Sequence, residues 1–322
     1  MTTVMFTDTH FGVKNNSITW LNSQLDFINN QLMPYLRKLT MEENEEVRLV
    51  HLGDVFDSRS TISTLVATKV RETFKQLRRL VDDFIIIGGN HDYYSPNSDE
   101  IDTINLVLHD LDIKLATTWQ WQIGEDLFIP WYSWISHIEG RWDLQSFCVN
   151  NNIKRVYTHA DIVREPTKLN GVDVYSGHTH IPYIKKSIRN LGSCFALDFG
   201  DANTPRGFYV LRNDELLFIE NKYSIKFHRL YNEDIFGDKE IGSNDYIELY
   251  ISQNNMMDQR YIDTINQYTK LFKHIWVIPQ VGADTSNPDE KFETYDIETI
   301  TKELIPEELK EKFNQVLGAL SL

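Results

Sequence analysis

The chain has 322 residues, of which 41% are hydrophobic and 25% are charged, as in globular proteins and unlike disordered or fibrous chains. Its formal net charge of -15 argues against binding of nucleic acid through one broad basic face, although bound divalent cations would supply positive charge where a phosphate must lie. The N-terminal stretch "MTTVMFTDTH" lacks the basic segment of a signal peptide, and no apolar run is long enough to cross a bilayer.

The two cysteines, Cys148 and Cys194, are too few for a disulfide framework. This favours a reducing, cytoplasmic location. Neither cysteine has a second ligand-type neighbour at zinc-site spacing, so we predict that both are buried packing residues.

Short apolar runs alternate with helical patterns along the first part of the chain. Helical periodicity covers residues 20–38 and 62–80, and the second of these segments is charged on one face. Strands alternating with helices predict an α/β layered fold. The predicted strands are residues 3–8, 47–54, 84–90, 127–132, 154–159 and 173–180.

The pattern then changes to strands and turns over residues 188–221, which predicts a second, more antiparallel sheet. Later residues carry three strands and one helix, a compact α+β unit that we interpret as a cap. A polar, turn-rich linker and an amphipathic C-terminal helix follow. We therefore predict three regions: a catalytic domain at 1–222, an α+β cap domain at 223–281, and the linker with its helix at 282–322.

Polar side chains of the metal-ligand type follow five of the predicted strands. Sites in open α/β sheets are built at such strand ends, and residues two apart in an extended chain point the same way. The residues are Asp8 and His10, Asp54 and Asp57, Asn90 and His91, His159, and His178 and His180.

These side chains offer oxygen and imidazole ligands and no thiolate. Such a set suits Mn²⁺, Fe²⁺ or Zn²⁺ and differs from a structural zinc site built from cysteines. Even without Asp57 and His91, the seven remaining ligand groups are too many for one metal with open positions. They suit two metals about 3.5–4 Å apart that share a bridging carboxylate, an arrangement that displaces a leaving oxygen from phosphorus.

Five ordered motifs resemble those of the calcineurin-like metallophosphoesterases, over residues 1–221. Within that superfamily, "DTHFG", "GDVFD" and "GNHD" resemble the SbcD-type nuclease subunits, and "FGDANTPRGFYVL" at 199–211 resembles the recombination endonuclease subunit of T-even phages. The motifs are Asp8-Thr9-His10, Gly53-Asp54, Gly89-Asn90-His91-Asp92, His159 and Gly177-His178-Thr179-His180.

The resemblance implies a four-layer α/β/β/α sandwich and two divalent ions, Mn²⁺ or Mg²⁺. It implies that Asp54 bridges the ions and that His91 is catalytic without being a ligand: His91 would stabilise the pentacoordinate phosphorus or protonate the leaving oxygen, while activated water attacks. One metal would be held by Asp8, His10, Asp54 and His180, and the other by Asp54, Asn90, His159 and His178.

Several residues keep a structural alternative. His137 competes with His159, which we prefer because it ends a predicted strand. Asp57 either orients a ligand or begins a helix, and Asp92 is expected to accept structural hydrogen bonds. The tryptophans in residues 118–135 either stack on bases or, as we prefer, fill a core. The basic run at 185–189 either contacts phosphates or forms a solvated turn.

We predict a metal-dependent DNA nuclease subunit for double-strand-break processing and recombination. By resemblance it would work with an SbcC-type ABC ATPase, as a homodimer of nuclease subunits. The alternative is a metallophosphatase or phosphodiesterase acting on a small molecule or phosphoprotein. A scaffold protein without activity is disfavoured because every expected ligand type is present. The apolar stripe of the tail helix predicts docking on the ATPase or, alternatively, packing on the cap.

Overall fold

The computed structural model describes residues 1–139, 143–161, 169–202, 204–237 and 240–280, without the side chain of His137. The predicted linker and C-terminal helix lie outside these residues. Within them, no helix combines the length and the apolar character that a membrane span requires.

Seventeen strands occur in the described residues. They are β1 (Thr2–Phe6), β2 (Val47–His51), β3 (Asp83–Ile87), β4 (Tyr93–Ser95), β5 (Ser98–Asp102), β6 (Lys114–Ala116), β7 (Trp121–Ile123), β8 (Asp126–Ile129), β9 (Arg155–Thr158), β10 (Asp173–Ser176), β11 (Tyr183–Lys185), β12 (Ile188–Asn190), β13 (Gly207–Arg212), β14 (Glu215–Glu220), β15 (Phe227–Tyr231), β16 (Tyr246–Ser252) and β17 (His274–Gln280).

The α-helical segments are α1 (Val13–Asn16), α2 (Ile18–Phe27), α3 (Met33–Arg37), α4 (Thr64–Arg78), α5 (Thr103–Leu108), α6 (Trp131–Ser133), α7 (Leu144–Asn150) and α8 (Gln259–Leu271). Wider π-helical turns at Ile28–Leu32 and Lys38–Glu42 continue α2 and α3, so that one helix runs from residue 18 to 42. The side chain of Ser63 begins α4 by accepting a hydrogen bond from the backbone N–H of Val66 at 3.2 Å.

Two six-stranded sheets form the main body. The first has the order β14-β13-β1-β2-β3-β6, and the second has the order β11-β12-β10-β9-β8-β7. Strands β1, β2, β3 and β6 run parallel to one another, as do β8, β9, β10 and β12. The parallel strands of each sheet therefore end at a common edge, where loops can bring side chains together.

Alternating side chains of the central strands pack on opposite faces of each sheet. Met5 of β1 and Val50 of β2 face Phe128, Tyr157 and Tyr175 of the second sheet in a core between the two sheets. The intervening residues of the first sheet pack against the helices α2 and α4, and those of the second sheet pack against α7. Three core layers therefore separate four layers of structure, which confirms the predicted α/β/β/α sandwich. The central strands read as continuous apolar runs because both of their faces are buried.

Residues 227–280 form a three-stranded parallel sheet, β15-β16-β17, with α8 packed on it through Tyr261. Trp20 of α2 contacts this unit: its indole Nε1 donates to the hydroxyl of Tyr246 at 3.3 Å, and its ring lies 6.2 Å from that of Phe227. The three strands and the helix expected for the cap are thus present, and the boundaries of separate domains remain predictions.

The predicted separate antiparallel sheet over residues 188–221 is wrong. Strands β13 and β14 extend the first sheet, where β13 pairs antiparallel with β1, and β11 and β12 complete the second sheet. A local pattern of strands and turns indicates antiparallel hairpins but carries no information on which sheet edge receives them.

Candidate metal centre

The loops after the parallel strands adopt left-handed backbone conformations at four of the predicted ligands. The φ angles are 52° at Asp8, 45° at His10, 52° at Asp54 and 78° at His178. Non-glycine residues rarely adopt positive φ, and such strain persists where surrounding contacts enforce it, often at functional sites. The loops thus hold these side chains in set directions at the common edge of the two sheets.

Asp8 is fully buried, and its two carboxylate oxygens have different surroundings. Oδ2 accepts hydrogen bonds from the Thr7 hydroxyl at 2.6 Å and from the backbone N–H of His178 at 3.3 Å. Oδ1 has no hydrogen-bond partner among the described residues, although the Nε2 atoms of His10 and His180 each lie 3.9 Å away. The chain therefore fixes one oxygen and directs the other toward two imidazoles.

Asp54, 2% exposed, repeats this arrangement. Its Oδ1 accepts a hydrogen bond from the backbone N–H of His91 at 2.8 Å. Its Oδ2 lies 3.6 Å from Nε2 of His10 and 3.2 Å from Nε2 of His159. One oxygen of Asp54 thus faces a histidine from each sheet, which is the position that a bridging carboxylate requires.

Asn90, His159 and His178 come together on one side of Asp54. The carboxamide oxygen of Asn90 lies 3.1 Å from Nε2 of His159 and 2.8 Å from Nδ1 of His178. The other ring nitrogen of His159, Nδ1, donates to the carbonyl of Leu52 at 2.7 Å. In the neutral ring that bond places the proton on Nδ1, so that Nε2 of His159 is able to bind a metal ion.

Asp57 and His91 lie on the other side, beside His10. Asp57 Oδ1 is 3.3 Å from Nδ1 of His10, and the Asp57 carbonyl accepts a hydrogen bond from Nδ1 of His91 at 2.5 Å. The rings of His10 and His91 are 4.9 Å apart. Asp57 therefore contacts two of the predicted site residues, and orienting His10 is the role that this geometry favours over a helix start.

The carboxylates and histidines of the centre shift one another's pKa values in directions that favour a positive charge beside Asp54. Burial would raise the pKa of Asp54, but His159 and His10 hold it well below its usual range. Burial opposes charge on His159, yet the Asp54 carboxylate beside it raises its pKa to about 9. In His178 and His180, burial is the main effect and lowers the pKa. A protonated His159 thus balances Asp54 until a cation does so.

The donor set fits divalent metal ions. Oδ1 of Asp8 and Nε2 of His10 are buried, have no hydrogen-bond partner in the described part of the chain, and lie 3.9 Å apart. A ligand between them would remove the cost of leaving them unpaired. Two triads have ligand atoms within 4.8 Å of one another: Asp8, His10 and His180, and Asp54, His159 and His178. A third such group, His10, Asp57 and His91, overlaps the first through His10.

Three glycines make this close approach of loops possible. A Cβ atom at Gly53 would collide with the His159 ring, and one at Gly89 would collide with the backbone and carboxylate of Asp54. A Cβ at Gly177 would meet the Thr7 hydroxyl and lie 2.8 Å from Oδ2 of Asp8. The glycines of the "LGD", "GGN" and "SGH" motifs are therefore needed for space around the site.

Two buried groups support the loops without facing the centre. His51 accepts the Gly53 N–H on Nδ1 at 3.2 Å, and its Nε2 donates to the Thr9 hydroxyl at 2.9 Å. Asp92 accepts from the backbone N–H groups of Gly89, Phe56 and Val55. Burial, together with the charge of Asp54, raises the pKa of Asp92 to about 7.

His51 and Thr9 were not among the residues that the sequence predicted for the site. The available signals were the place of His51 three residues before Asp54, inside the strand, and the place of Thr9 between two predicted ligands.

The other predictions concern His137, the tryptophans, the basic run and the two cysteines. The side chain of His137 is outside the part of the chain that the structure describes. Trp134 is buried, whereas Trp119 and Trp121 are exposed, so the expected core position is wrong for these two. The run at 185–189 forms the β11–β12 turn, toward the amino ends of β9 and β10 and away from the site, which favours the solvated turn. Cys148 and Cys194 are free and buried, as predicted.

The sequence model of the calcineurin-like phosphoesterase family matches residues 1–182, more than half of the chain. The chain belongs to this family. It is a metal-dependent phosphoesterase, and the residues assembled above lie within the matched region. Divalent metals are the cofactors of the family, in agreement with the donor set.

Relatives of this phosphoesterase include exonuclease subunit 1 of Enterobacteria phage T4. The two sequences are 24% identical over 328 residues, and the alignment covers 92% of this chain and 90% of the phage protein. Among solved structures, the chain is similar to the nuclease MPE of Pseudomonas putida, with 18% sequence identity and a TM-score of 0.31, covering 61% of this chain and 70% of that protein.

Proposed function

We propose that this phosphoesterase is the nuclease subunit of a DNA-processing complex, acting with two divalent ions, Mn²⁺ or Mg²⁺, to hydrolyse phosphodiester bonds as an exonuclease or endonuclease. Its role would be the processing of double-strand breaks and recombination. It would act in the cytoplasm, which is that of the host if the chain is phage-encoded.

The position of Asp54 carries the two-metal part of this proposal. Its Oδ2 lies between His10, which belongs with Asp8 and His180, and His159, which belongs with His178 and Asn90. We therefore assign one ion to Asp8, His10, Asp54 and His180, and the other to Asp54, Asn90, His159 and His178. Ions bound in this way would activate water and polarise the phosphoryl oxygens.

His91 is our candidate for the proton transfer. Its Nδ1 donates to the carbonyl of Asp57, so the ring is oriented and Nε2 is left to interact with substrate. Its backbone N–H holds Oδ1 of Asp54. A protonated Nε2 would stabilise the phosphorane oxygens or donate a proton to the leaving oxygen.

The DNA substrate is supported by the extent of the relationship to the phage exonuclease subunit. That alignment covers 92% of this chain, whereas the family match ends at residue 182. The similarity therefore includes the region of the three-stranded sheet, which a minimal phosphatase does not need. The word "subunit" in the name of that relative supports a partner, for which we propose an SbcC-type ATPase and a second copy of this chain.

The decisive experiment is a nuclease assay of the full chain with Mn²⁺ and, separately, with Mg²⁺. Linear duplex DNA, single-stranded DNA and bis(p-nitrophenyl) phosphate are the substrates. We expect hydrolysis of DNA that EDTA abolishes. Hydrolysis of the small diester without any cleavage of DNA would contradict the nuclease assignment and favour a small-molecule phosphodiesterase.

The ATPase partner is tested through the tail. Residues 309, 313, 316, 317 and 320 form an apolar stripe in the sequence, and groove-binding helices use this spacing. Deletion of residues 297–322 is expected to leave Mn²⁺-dependent nuclease activity intact and to weaken co-purification with the ATPase. An unfolded truncated protein would assign the tail to the chain's own core instead.

A further inference from the structure

The loop that follows Asp57 lies against the candidate metal centre and carries an arginine. The carbonyl of Asp57 accepts from His91, and its carboxylate lies beside His10. Arg59 is two residues further, so its Cα lies within about 7 Å of that of Asp57. The hydroxyl of Ser58 organises the turn by accepting the N–H groups of Ser60 and Thr61 at 3.4 and 3.2 Å. Arg59 thus projects from an ordered turn at the edge of the site.

The guanidinium of Arg59 packs over the ring of Trp131, with 5.9 Å between Cζ and the ring centroid. Trp131 is itself fixed near the centre. Its backbone N–H donates to the carbonyl of Gly88 at 2.9 Å, and its ring centroid lies 6.1 Å from that of Tyr93. A guanidinium held on an aromatic face keeps its N–H groups available at its edge and loses little entropy on binding an anion.

Arg59 differs from most arginines of the chain in having no carboxylate partner among the described residues. This lack is notable in a protein with a net charge of -15, since acidic side chains outnumber basic ones. The arginines that do pair with carboxylates are Arg48, Arg71, Arg78, Arg155, Arg189, Arg206, Arg212 and Arg229.

We propose that Arg59, held by Trp131, binds the phosphate of the nucleotide next to the scissile bond of a DNA strand. The planar guanidinium matches two phosphate oxygens. Its loop begins at Asp57, whose carbonyl accepts from His91, so a phosphate bound by Arg59 would lie along the strand from the reacting one. Arg59 is thus a substrate-binding residue that selects a polymer over an isolated phosphodiester. This inference rests on the nuclease function proposed above.

The test compares two substrates with the full chain in Mn²⁺. A DNA oligonucleotide has phosphates next to the scissile one, and bis(p-nitrophenyl) phosphate has none. Arg59→Ala is expected to raise KM for the oligonucleotide about tenfold, as expected for a lost charge-assisted contact. It should leave kcat/KM for the small diester within about twofold of wild type.

Salt dependence separates a phosphate contact from a structural effect. For the oligonucleotide, log(1/KM) falls as log[salt] rises. The slope of this fall should become less steep by about 0.7–0.9 in Arg59→Ala, because one fewer counterion is released. Arg59→Lys should keep the slope and raise KM, since it keeps the charge but loses the planar fork. Trp131→Leu should likewise raise KM and keep the slope, because it removes the aromatic ring under the guanidinium and leaves the charge of Arg59 in place.

Arg79→Ala is the matched control. It removes the same charge from an exposed arginine just after the last residue of α4, about 22 Å along that helix from the Arg59 loop, and should leave both KM and the salt slope unchanged.

Equal losses on both substrates, or no change in KM for DNA, would overturn the role of Arg59, as would an Arg79→Ala effect of the same size. Failure of the wild-type chain to cleave DNA at all would instead overturn the proposed function and with it this inference. The two failures are therefore distinguishable.

Discussion

The two ends of the sheet sandwich differ in the groups that lie beside their buried carboxylates. At the amino ends of the parallel strands, Asp126 is 4% exposed and accepts from Arg48 and Arg155, each at 2.6 Å. At the carboxyl ends, Asp8 and Asp54 are equally buried, yet among the described residues they contact histidines, backbone N–H groups and the Thr7 hydroxyl, and no arginine or lysine forms an ion pair with them. The chain thus supplies the cations for its buried acids at one end and leaves them to be supplied from solution at the other.

This difference distinguishes a structural ion-pair network from a binding site. Both ends contain buried carboxylates, so burial and charge alone do not identify function. The distinguishing feature is Oδ1 of Asp8, a buried oxygen that has no hydrogen-bond partner within the described ranges and lies near other ligand-type atoms. Substitutions at the two ends should therefore have different consequences.

The largest effect on activity is expected from Asp54→Ala, at the carboxyl ends of the parallel strands. Because Oδ2 of Asp54 serves both groups of ligands, we expect loss of both ions and no detectable hydrolysis. Metal analysis of the purified variant checks this, with Asp110→Ala, an exposed carboxylate paired with Arg71, as the control that keeps its metal. Two ions per chain in Asp54→Ala would refute the bridging role.

His91→Ala should separate chemistry from metal binding. We expect both ions to remain and the rate to fall by about 10²–10⁴-fold, the usual contribution of a positioned acid or base. Single-turnover hydrolysis with metal analysis is the measurement, and exposed His109→Ala is the control. Loss of metal from His91→Ala would make this residue a ligand.

Asp126→Asn tests the ion pairs at the amino ends of the parallel strands. Removing one partner of a buried ion pair should lower the free energy of unfolding by about 3–5 kcal/mol, while the folded enzyme keeps its specific activity. Urea unfolding monitored by tryptophan fluorescence checks the first part. Asp173→Asn, which breaks a more exposed pair with Arg189, should cost less than about 1 kcal/mol. Reduced activity without reduced stability would contradict the comparison.

His51→Leu should weaken Mn²⁺ binding by about 10–100-fold, the usual effect of removing a group that orients metal ligands. The substitution leaves the Gly53 N–H and the Thr9 hydroxyl without their imidazole partner, so the loops of Asp8 and Asp54 lose a shared support. Titration calorimetry measures the affinity, and His51→Gln should recover part of it. A variant that is only less stable, with unchanged affinity, would limit His51 to a packing role.

The smallest effect concerns pH and the metal-free protein. The folded pKa of His159 is about 9, above the value of about 6.5 expected in the unfolded chain. Its contribution to stability is therefore complete below pH 6.5 and is lost as the pH rises through 9. Between pH 7 and 9, the melting temperature in EDTA should fall. A rise over this window would contradict the charge balance between His159 and Asp54.

The sequence by itself determined the central strands and the types of ligand. Apolar runs such as "FIII" predict buried strands because both faces of a parallel sheet are covered, and the polar residues after them are local features. These predictions needed no knowledge of distant contacts, and the starts and ends of the strands were correct to within a few residues.

Tertiary structure decided which of these residues meet and how. His159 lies 107 positions from Leu52, whose carbonyl fixes its ring, and Trp131 lies far along the chain from Arg59. The attachment of β13 to β1 was likewise invisible to local patterns. Contacts of this kind depend on how two sheets pack and on which oxygen of a carboxylate is already bonded, and no local property of the chain encodes them. The sequence thus determined which ligands are available, and the packing of the two sheets determined the site.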